Sequence, residues 1–493
     1  MFGGFRLASI AKTLDEEIPP APLAPLVVVI SPLAAALVVG LLVILASMLG
    51  TLTRPIGQLA SFWPPNALLL GLMLRDRRFA APLCWLAALL GYMAADLLTG
   101  SDLDRAFLLT MANITGVGVG FLLASPIDPR ECNMRGPNSV LFLLFIAVAG
   151  AVSSGLIGAL TLSALYHRPF LSGWLFWSIA DLINYVAIMP VVLTLPSLIL
   201  HARERRKFRP AHPAFHIRDL APFALLLASI AFVDLLQGPG AIAAPLPALL
   251  WCALAYPIFL TMLLSLAYNS SMLIAISLGQ LNVGADVAVM SEQISVRLGV
   301  MLIALAPITA ASVMAARREL LERLQFVADH DGLTTALNRH AFHQRCKELL
   351  PDLARARLPV AVLMLDLDRF KRVNDTYGHA AADKVLAAFS RVVANQLRIS
   401  DVFGRLGGEE FAVILPDCHL SDALAIAERI RQAFANTATL HDDGAKIAVT
   451  VSIGIAHALP AKDTLDGLLS AADRALYRAK ENGRNRVEID RLD

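Results

Sequence analysis

Arg405-Leu406-Gly407-Gly408-Glu409-Glu410-Phe411 (RLGGEEF) sets two glycines and two carboxylates between apolar segments. Residues 410–415 (EFAVIL) read as a strand, which puts the glycines at a hairpin turn. Glycine reaches positive φ and carries no Cβ, so a bulky ligand can lie against the backbone there. Two acids at such a turn can hold a divalent cation beside that ligand. The surrounding pattern is α/β. Residues 360–366 (VAVLMLD) form a buried strand that ends in an acid, and 381–397 an amphipathic helix. Residues 422–434 and 465–480 read as helices, 447–455 as an alternating strand, and 487–489 as a last short strand.

Asp366 and Asp368 stand at the end of the first strand, in DLDRFKRVND, and project toward the cleft that receives the Gly407 hairpin. Asp366, Glu409 and a backbone carbonyl near Leu367 make a hard-cation site of the kind magnesium uses, with water and phosphates filling its shell. Each acid taken alone reads equally as a solvated carboxylate or a cap. Lys371, Lys480 and Arg484 supply positive charge for a polyphosphate, and turn amides at 368–370 can point at phosphate oxygens. Asn374 and Asp383 offer the amide and carboxylate that read a guanine edge, although Asn374 by itself suits a turn cap.

The rest of the chain is of another kind. Over 493 residues it is 57% hydrophobic and 17% charged, against about 25% charged for a soluble domain. Net charge is +2, which gives no polyelectrolyte argument for nucleic acid. The five cysteines are scattered, without metal-ligand spacing or a disulfide framework, as suits a soluble part on a reducing side. The N-terminal stretch does not read as a cleaved signal peptide. About ten apolar spans run from 23 to 315: 23–49, 57–74, 79–98, 106–125, 139–166, 173–199, 219–236, 243–267, 272–290 and 296–315. Spans 57–74 and 272–290 are the weakest, and losing both leaves about eight crossings with the C-terminus on the same side. Proline interrupts several, at Pro64, Pro65, Pro190, Pro257 and Pro307.

With the N-terminus in the cytoplasm, the cytoplasmic loops hold Arg75, Arg77, Arg78, Arg130 and Arg135, then the cluster from Arg203 to Arg218, then Arg317 and Arg318. The opposite loops hold little beyond Arg54, Arg105 and Arg168, which is the positive-inside asymmetry. The expected organisation is a cytoplasmic segment 1–22, a membrane bundle 23–315, a helical linker 316–329 and a cytoplasmic domain 330–493. In the linker Leu320, Leu324 and Val327 share one stripe. That stripe serves either a juxtamembrane helix with a solvated face or a parallel dimer helix.

Residues from about 326 to 490 resemble the GGDEF domain of diguanylate cyclases. The matching motifs are DGLTTALNR from Asp331, DLDRFKRVND from Asp366, Gly378-His379 with Asp383, RLGGEEF, and ADRALYRAK from Ala472 followed by Gly483-Arg484-Asn485. The first motif departs from the usual pattern at Thr335-Ala336. The resemblance implies a palm-like α/β fold with a central antiparallel sheet. It also implies condensation of two GTP into cyclic di-GMP with release of two pyrophosphates by a homodimer using Mg²⁺ or Mn²⁺. Asp366, Leu367 (by its carbonyl) and Glu409 resemble the metal ligands. Glu409 and Glu410, with Asp366 and Lys371, resemble the catalytic set. Asn374, Asp383, Phe370, His379, Gly408, Lys480 and Arg484 resemble the GTP contacts.

Arg398-Ile399-Ser400-Asp401, just before the glycine turn, resembles the family's inhibitory RxxD site for cyclic di-GMP, with Arg429 as a further arginine. Without that context it reads as a helix-end ion pair. The stretches FWPPN from Phe62 and WSIADLINYVAIMP from Trp177 resemble the type-one membrane-associated sensor family over roughly 25–315. Polar residues in the spans are the sensing candidates: Asp96, Asn113, Asp181, Asn184, Asp234, Asn282 and Asp286, foremost the pair Asp181 and Asn184. Interhelical hydrogen bonding explains such residues equally well. The whole then reads as a diguanylate cyclase of the bacterial inner membrane, embedded in the lipid bilayer. The rival is a silent GGDEF receptor that binds GTP or cyclic di-GMP and signals to a partner. A transporter with a regulatory tail is a third reading.

Overall fold

The computed structural model describes residues 30–53, 62–166, 169–196, 217–236, 240–277, 290–440, 446–459 and 464–491. The chain divides into two compact units, Met1–Glu319 and Leu320–Asp493.

The first unit is helical. Among the described residues six helices are long and apolar enough to cross a bilayer: Pro32–Leu52, Leu103–Ala124, Ser139–Ala164, Phe170–Thr194, Ile258–Ile276 and Ile294–Asp329. Their outer faces are greasy. Leu33, Leu37, Leu41 and Leu45 recur every fourth residue at 57–66% exposure, while Val39 and Val43 on the opposite stripe are fully buried. Large apolar side chains turned outward in rows suit a lipid surround.

Two of the expected spans differ. Among the described residues the span 57–74 contributes the short helix Pro65–Arg75, opened by proline at its first turn. The span 243–267 breaks into Leu246–Ala255 and Ile258–Ser277, because Pro257 stands between them and cannot continue the helix. Pro190 and Pro307, by contrast, lie inside continuous helices. The span 272–290 and the basic cluster 203–209 fall largely or wholly outside the described residues.

The second unit is a five-stranded sheet in the order β2-β3-β1-β6-β7: β1 Val360–Leu367, β2 Val402–Gly407, β3 Glu410–Pro416, β6 Val451–Ala458 and β7 Val487–Arg491. β4 (Thr439–Leu440) and β5 (Lys446–Ile447) form a separate small ribbon. All eight residues of β1 are buried, as a central strand covered on both faces requires. Ala361, Leu363, Leu365 and Leu367 pack with helices Phe370–Gln396 and Leu420–Ala435. Val360, Val362 and Met364 pack with helices Arg339–Ala356 and Leu465–Glu481.

The sheet is mixed rather than wholly antiparallel. β1 pairs antiparallel with β3 and β6, but β7 runs parallel to β6. The reason is the helix Leu465–Glu481, which carries the chain back along the sheet before β7 begins. The helix Arg339–Ala356 was not anticipated. Asn338 caps it by accepting from the Ala341 N–H at 3.0 Å.

Candidate active site

Register places the first acid. Asp366 follows Val362 and Met364 with a period of two, so it falls on the face covered by helix Leu465–Glu481. That helix approaches β6 closely: a Cβ on Gly454 would lie 2.1 Å from the Ala472 carbonyl oxygen. Lys480, in its last turn, therefore reaches Asp366, with Nζ 2.8 Å from Oδ2. Asp366 is 5% exposed. Burial pushes its carboxyl above the ordinary range and Asp368 adds to this, against the opposing charges of Lys480 and Arg484.

The hairpin brings the second acid. β1 and β3 pair with Asp366 opposite Glu410, so Glu409 occupies the turn beside the end of β1. Burial raises the Glu409 carboxyl, the Asp366 charge raises it further, Lys480 counters and Glu410 adds. Gly408 has φ +53°, and no atom lies within 4 Å of where its Cβ would be, so the turn keeps an open face.

Arg405 locks this turn. Its Nε and one terminal nitrogen donate to the Gly408 carbonyl at 3.0 and 2.7 Å, while the other terminal nitrogen meets Asp331 Oδ1 at 2.9 Å and Oδ2 at 3.1 Å. Asp331 also accepts from the Thr334 N–H and hydroxyl. Burial alone raises the Asp331 carboxyl, but Thr334 and Arg405 outweigh it and hold it below the ordinary range. Each residue lies in one of the quoted motifs, but neither motif alone announces this role. The signal was their charge complementarity in two separate motifs.

Asp368 differs from its reading as a cleft acid. Its oxygens accept from the Ser452 hydroxyl at 2.7 Å, the Thr450 hydroxyl at 2.6 Å and the Asn485 N–H at 3.0 Å. It ties the end of β1 to the start of β6 and to the segment before β7. The side chains of Leu367 and Phe370 are core residues, at 0% and 4% exposure, so only their backbones can face a ligand. Lys371, Asp383 and Arg484 are exposed, and Asn374 is half-buried. His379 Nδ1 stands 3.1 Å from Asn374 Oδ1. Between Asn374 and Asp383 the helix kinks at Gly378, whose φ is +79°.

The donor set fits a hard divalent cation. Two carboxylates share one neighbourhood, the charge of Asp366 raising the proton affinity of Glu409, and a cation taking most of its shell from water and phosphate needs little more from the protein. Among the described residues no cluster of three His, Cys, Asp or Glu is gathered.

At the RxxD turn Asp401 accepts from the Arg398 backbone N–H at 2.6 Å and from Ser400, leaving the Arg398 side chain turned to solvent. Arg429 donates to the Gln396 side chain at 2.6 Å and its carbonyl at 2.8 Å, which sets it against the end of the helix that leads to Arg398.

In the helical unit Asp181 is 5% exposed and sits in a polar network drawn from five helices. It accepts from Ser154, itself bonded by Trp177 Nε1 at 2.8 Å, and more loosely from Asn66 at 3.4 Å. Asn66 also donates to Asn113 at 2.9 Å and accepts from Tyr92 at 2.7 Å. Asn184 does not join this network; it accepts from the Trp63 N–H at 3.0 Å and donates to the Ala180 carbonyl. The proposed pairing of Asp181 with Asn184 is thus two adjacent arrangements. Asn66, Tyr92, Ser154 and Trp177 were not foreseen, and the asparagine of FWPPN was their visible signal. Asn282, Asp286 and the Asp234 side chain lie outside the described residues.

Comparison with known proteins gives two family matches: "Diguanylate cyclase, GGDEF domain" over residues 328–486 and MASE1 over residues 33–319. A probable diguanylate cyclase, DgcF of Escherichia coli O157:H7, is 29% identical over 454 residues, 90% of this chain and 92% of the relative. DgcF of Escherichia coli K12 is 33% identical over 284 residues, 57% of this chain and 89% of the relative. The GGDEF domain of DgcB from Caulobacter crescentus, solved with c-di-GMP, is 32% identical over 33% of this chain and 93% of its own, with a TM-score of 0.32.

Proposed function

This chain belongs to the membrane-associated GGDEF diguanylate cyclases, and from that premise we propose that it condenses two GTP into cyclic di-GMP and two pyrophosphates. The observation that carries the reading is the convergence of Asp366, at the end of β1, with Glu409 at the glycine turn and Lys480 at 2.8 Å. Asn374 and Asp383 read the guanine edge, with His379 orienting Asn374. The backbone at Phe370 together with Lys371, Lys480 and Arg484 holds the triphosphate, and Gly408 leaves room for ribose and α-phosphate. Asp366, Glu409 and the Leu367 carbonyl would hold Mg²⁺ or Mn²⁺, which supplies charge stabilisation at the phosphoryl group.

Each half-reaction forms one bond from a 3′-oxygen to the α-phosphorus of the other nucleotide and breaks the bond to pyrophosphate. The 3′-hydroxyl proton goes to Glu409, whose proton affinity is raised by burial and by the charge of Asp366. Glu410 supports the turn. One chain holds one GTP, so two copies must face each other. Arg398, Asp401 and Arg429 form the product-inhibition site. The membrane part, with Asp181 and Asn184 as its sensing groups, tunes the dimer from the inner membrane, and the linker 316–329 passes the signal to a cytoplasmic domain 330–493.

Cellular cyclic di-GMP measured with wild type and Glu409→Ala tests the reading. A rise above background with wild type alone is expected. Equal levels, with GTP still bound, would make the chain a silent receptor.

A further inference from the structure

A cavity of about 430 Å³ opens beside the helix Phe370–Gln396, and of the side chains assigned to GTP it shares Arg484. Arg372 and Thr376 line it, one turn apart on that helix. Arg372 and Asn374 point about 160° apart around a helix axis, so the cavity lies on the flank opposite the guanine-reading residue. Asp366, Lys371, Asn374, Asp383, Glu409 and Lys480 do not line it, while Arg484 stands between it and the GTP cleft. The volume is within the range of small-molecule sites.

Its chemistry is cationic on one side and apolar on the other. Arg369, Arg372 and Arg484 stand against a single acid, Asp368, which leaves a formal +2 (three minus one). Asp368 offsets one of these charges at a distance, its oxygens accepting from Ser452, Thr450 and the Asn485 N–H. Among the described residues neither Arg369 nor Arg372 has an ion-pair partner. Val373, Ile447 and Val449 form the apolar wall.

The backbone is unusual here as well. Arg369, Arg484 and Asn485, all lining the cavity, have φ of +56°, +64° and +47°. Non-glycine residues held in the left-handed region cluster where a structure serves a ligand. The cavity edge at 368–370 also leads directly from Asp366 to Lys371, so whatever settles there bears on the segment that positions both.

We propose that this cavity is a second nucleotide site, taking a diphosphate on its arginine side and a planar base on its apolar side, with no selection for the guanine edge. Guanidinium forks match phosphate geometry and leave the ring to the apolar wall. Occupancy at 368–370 modulates the cyclase.

The test uses the full-length protein in detergent and equilibrium dialysis with ADP, whose base lacks the guanine edge, alongside pyrophosphate and adenosine. ADP should bind more tightly than either. Arg369→Ala/Arg372→Ala should weaken ADP binding by roughly tenfold or more, the scale of losing charge-assisted phosphate bonds. The KM for GTP should stay within about twofold, since neither arginine's side chain is among the groups assigned to GTP and the substitutions keep the backbone amides. Arg372→Glu, a change at an exposed position, should give the same loss if the double variant fails to fold. ADP binding indifferent to both arginines overturns the proposal. So does ADP binding lost in Asn374→Ala instead, which places ADP in the GTP cleft, and so does pyrophosphate binding as tightly as ADP.

Discussion

Asp366 and Glu409 hold their protons more tightly than ordinary carboxyls, first because they are buried and then because each has a carboxylate nearby, Asp368 for Asp366 and Asp366 for Glu409. A carboxyl whose pKa rises on folding contributes stability below its unfolded value, about pH 4, and loses it as pH climbs through the raised folded value. The site is therefore under electrostatic strain at neutral pH, and Lys480 offsets only part of it. Glu409→Gln removes one of the two charges while keeping the shape. We expect this variant to melt above wild type at pH 7 by about 2–4 °C, with the difference gone near pH 4, and to lose at least ~100-fold in cyclic di-GMP formation. Thermal melts of the full chain at the two pH values check this. A difference that persisted at the lower pH would point to packing rather than charge.

The hairpin works because another element grips it. Arg405 joins the Gly408 carbonyl to Asp331, and the segment around Asp331 lies along β2, where the Leu337 N–H donates to the Phe403 carbonyl at 3.1 Å. Both partners of the ion pair are mostly buried, at 16% and 25% side-chain exposure. Arg405→Ala should destabilise the soluble unit by about 2 kcal/mol, the scale of losing hydrogen bonds to a charged group. It should also lower kcat more than it raises the KM for GTP, because it frees the turn that carries Glu409 without touching the guanine-reading pair. A denaturant titration beside steady-state kinetics measures both, and an unchanged kcat would show that the turn holds its shape alone.

The legibility of these elements follows from how local their causes are. The strand 360–366 and the turn at Gly407–Gly408 were readable because an all-apolar run and a glycine pair declare themselves within a few residues. The predicted strand 447–455 instead begins only at Val451, because Thr450 spends its hydroxyl and carbonyl on Asp368, a partner 82 positions away. Asp368 was misread for the same reason. Its charge was visible, but the hydroxyls that absorb it belong to a distant strand. In the helical unit, composition marked the spans, whereas Pro257 and Pro190 look alike in sequence and behave differently: one separates two helices and the other is carried within one.

At the scale of the molecule, the proposed condensation needs two nucleotides and one chain is proposed to hold one, which predicts an activity that depends on association. The helix Met290–Asp329 carries a feature suited to this. Leu320, Leu321, Leu324 and Val327 are 52–58% exposed near its end, on a stretch too charged to face lipid. Burying one leucine side chain contributes about 1.5–3 kcal/mol, and each 1.4 kcal/mol is about tenfold in an association constant. Leu320→Glu/Leu324→Glu places like charges opposite each other in any parallel pairing of this helix. At low protein concentration the variant in detergent should form cyclic di-GMP at least ~10-fold more slowly per chain than wild type. The deficit should shrink as concentration rises, because mass action restores the pair while each cleft remains intact. A rate per chain that stayed depressed at every concentration would locate the damage within the monomer, and a rate equal to wild type throughout would mean that another surface joins the two copies.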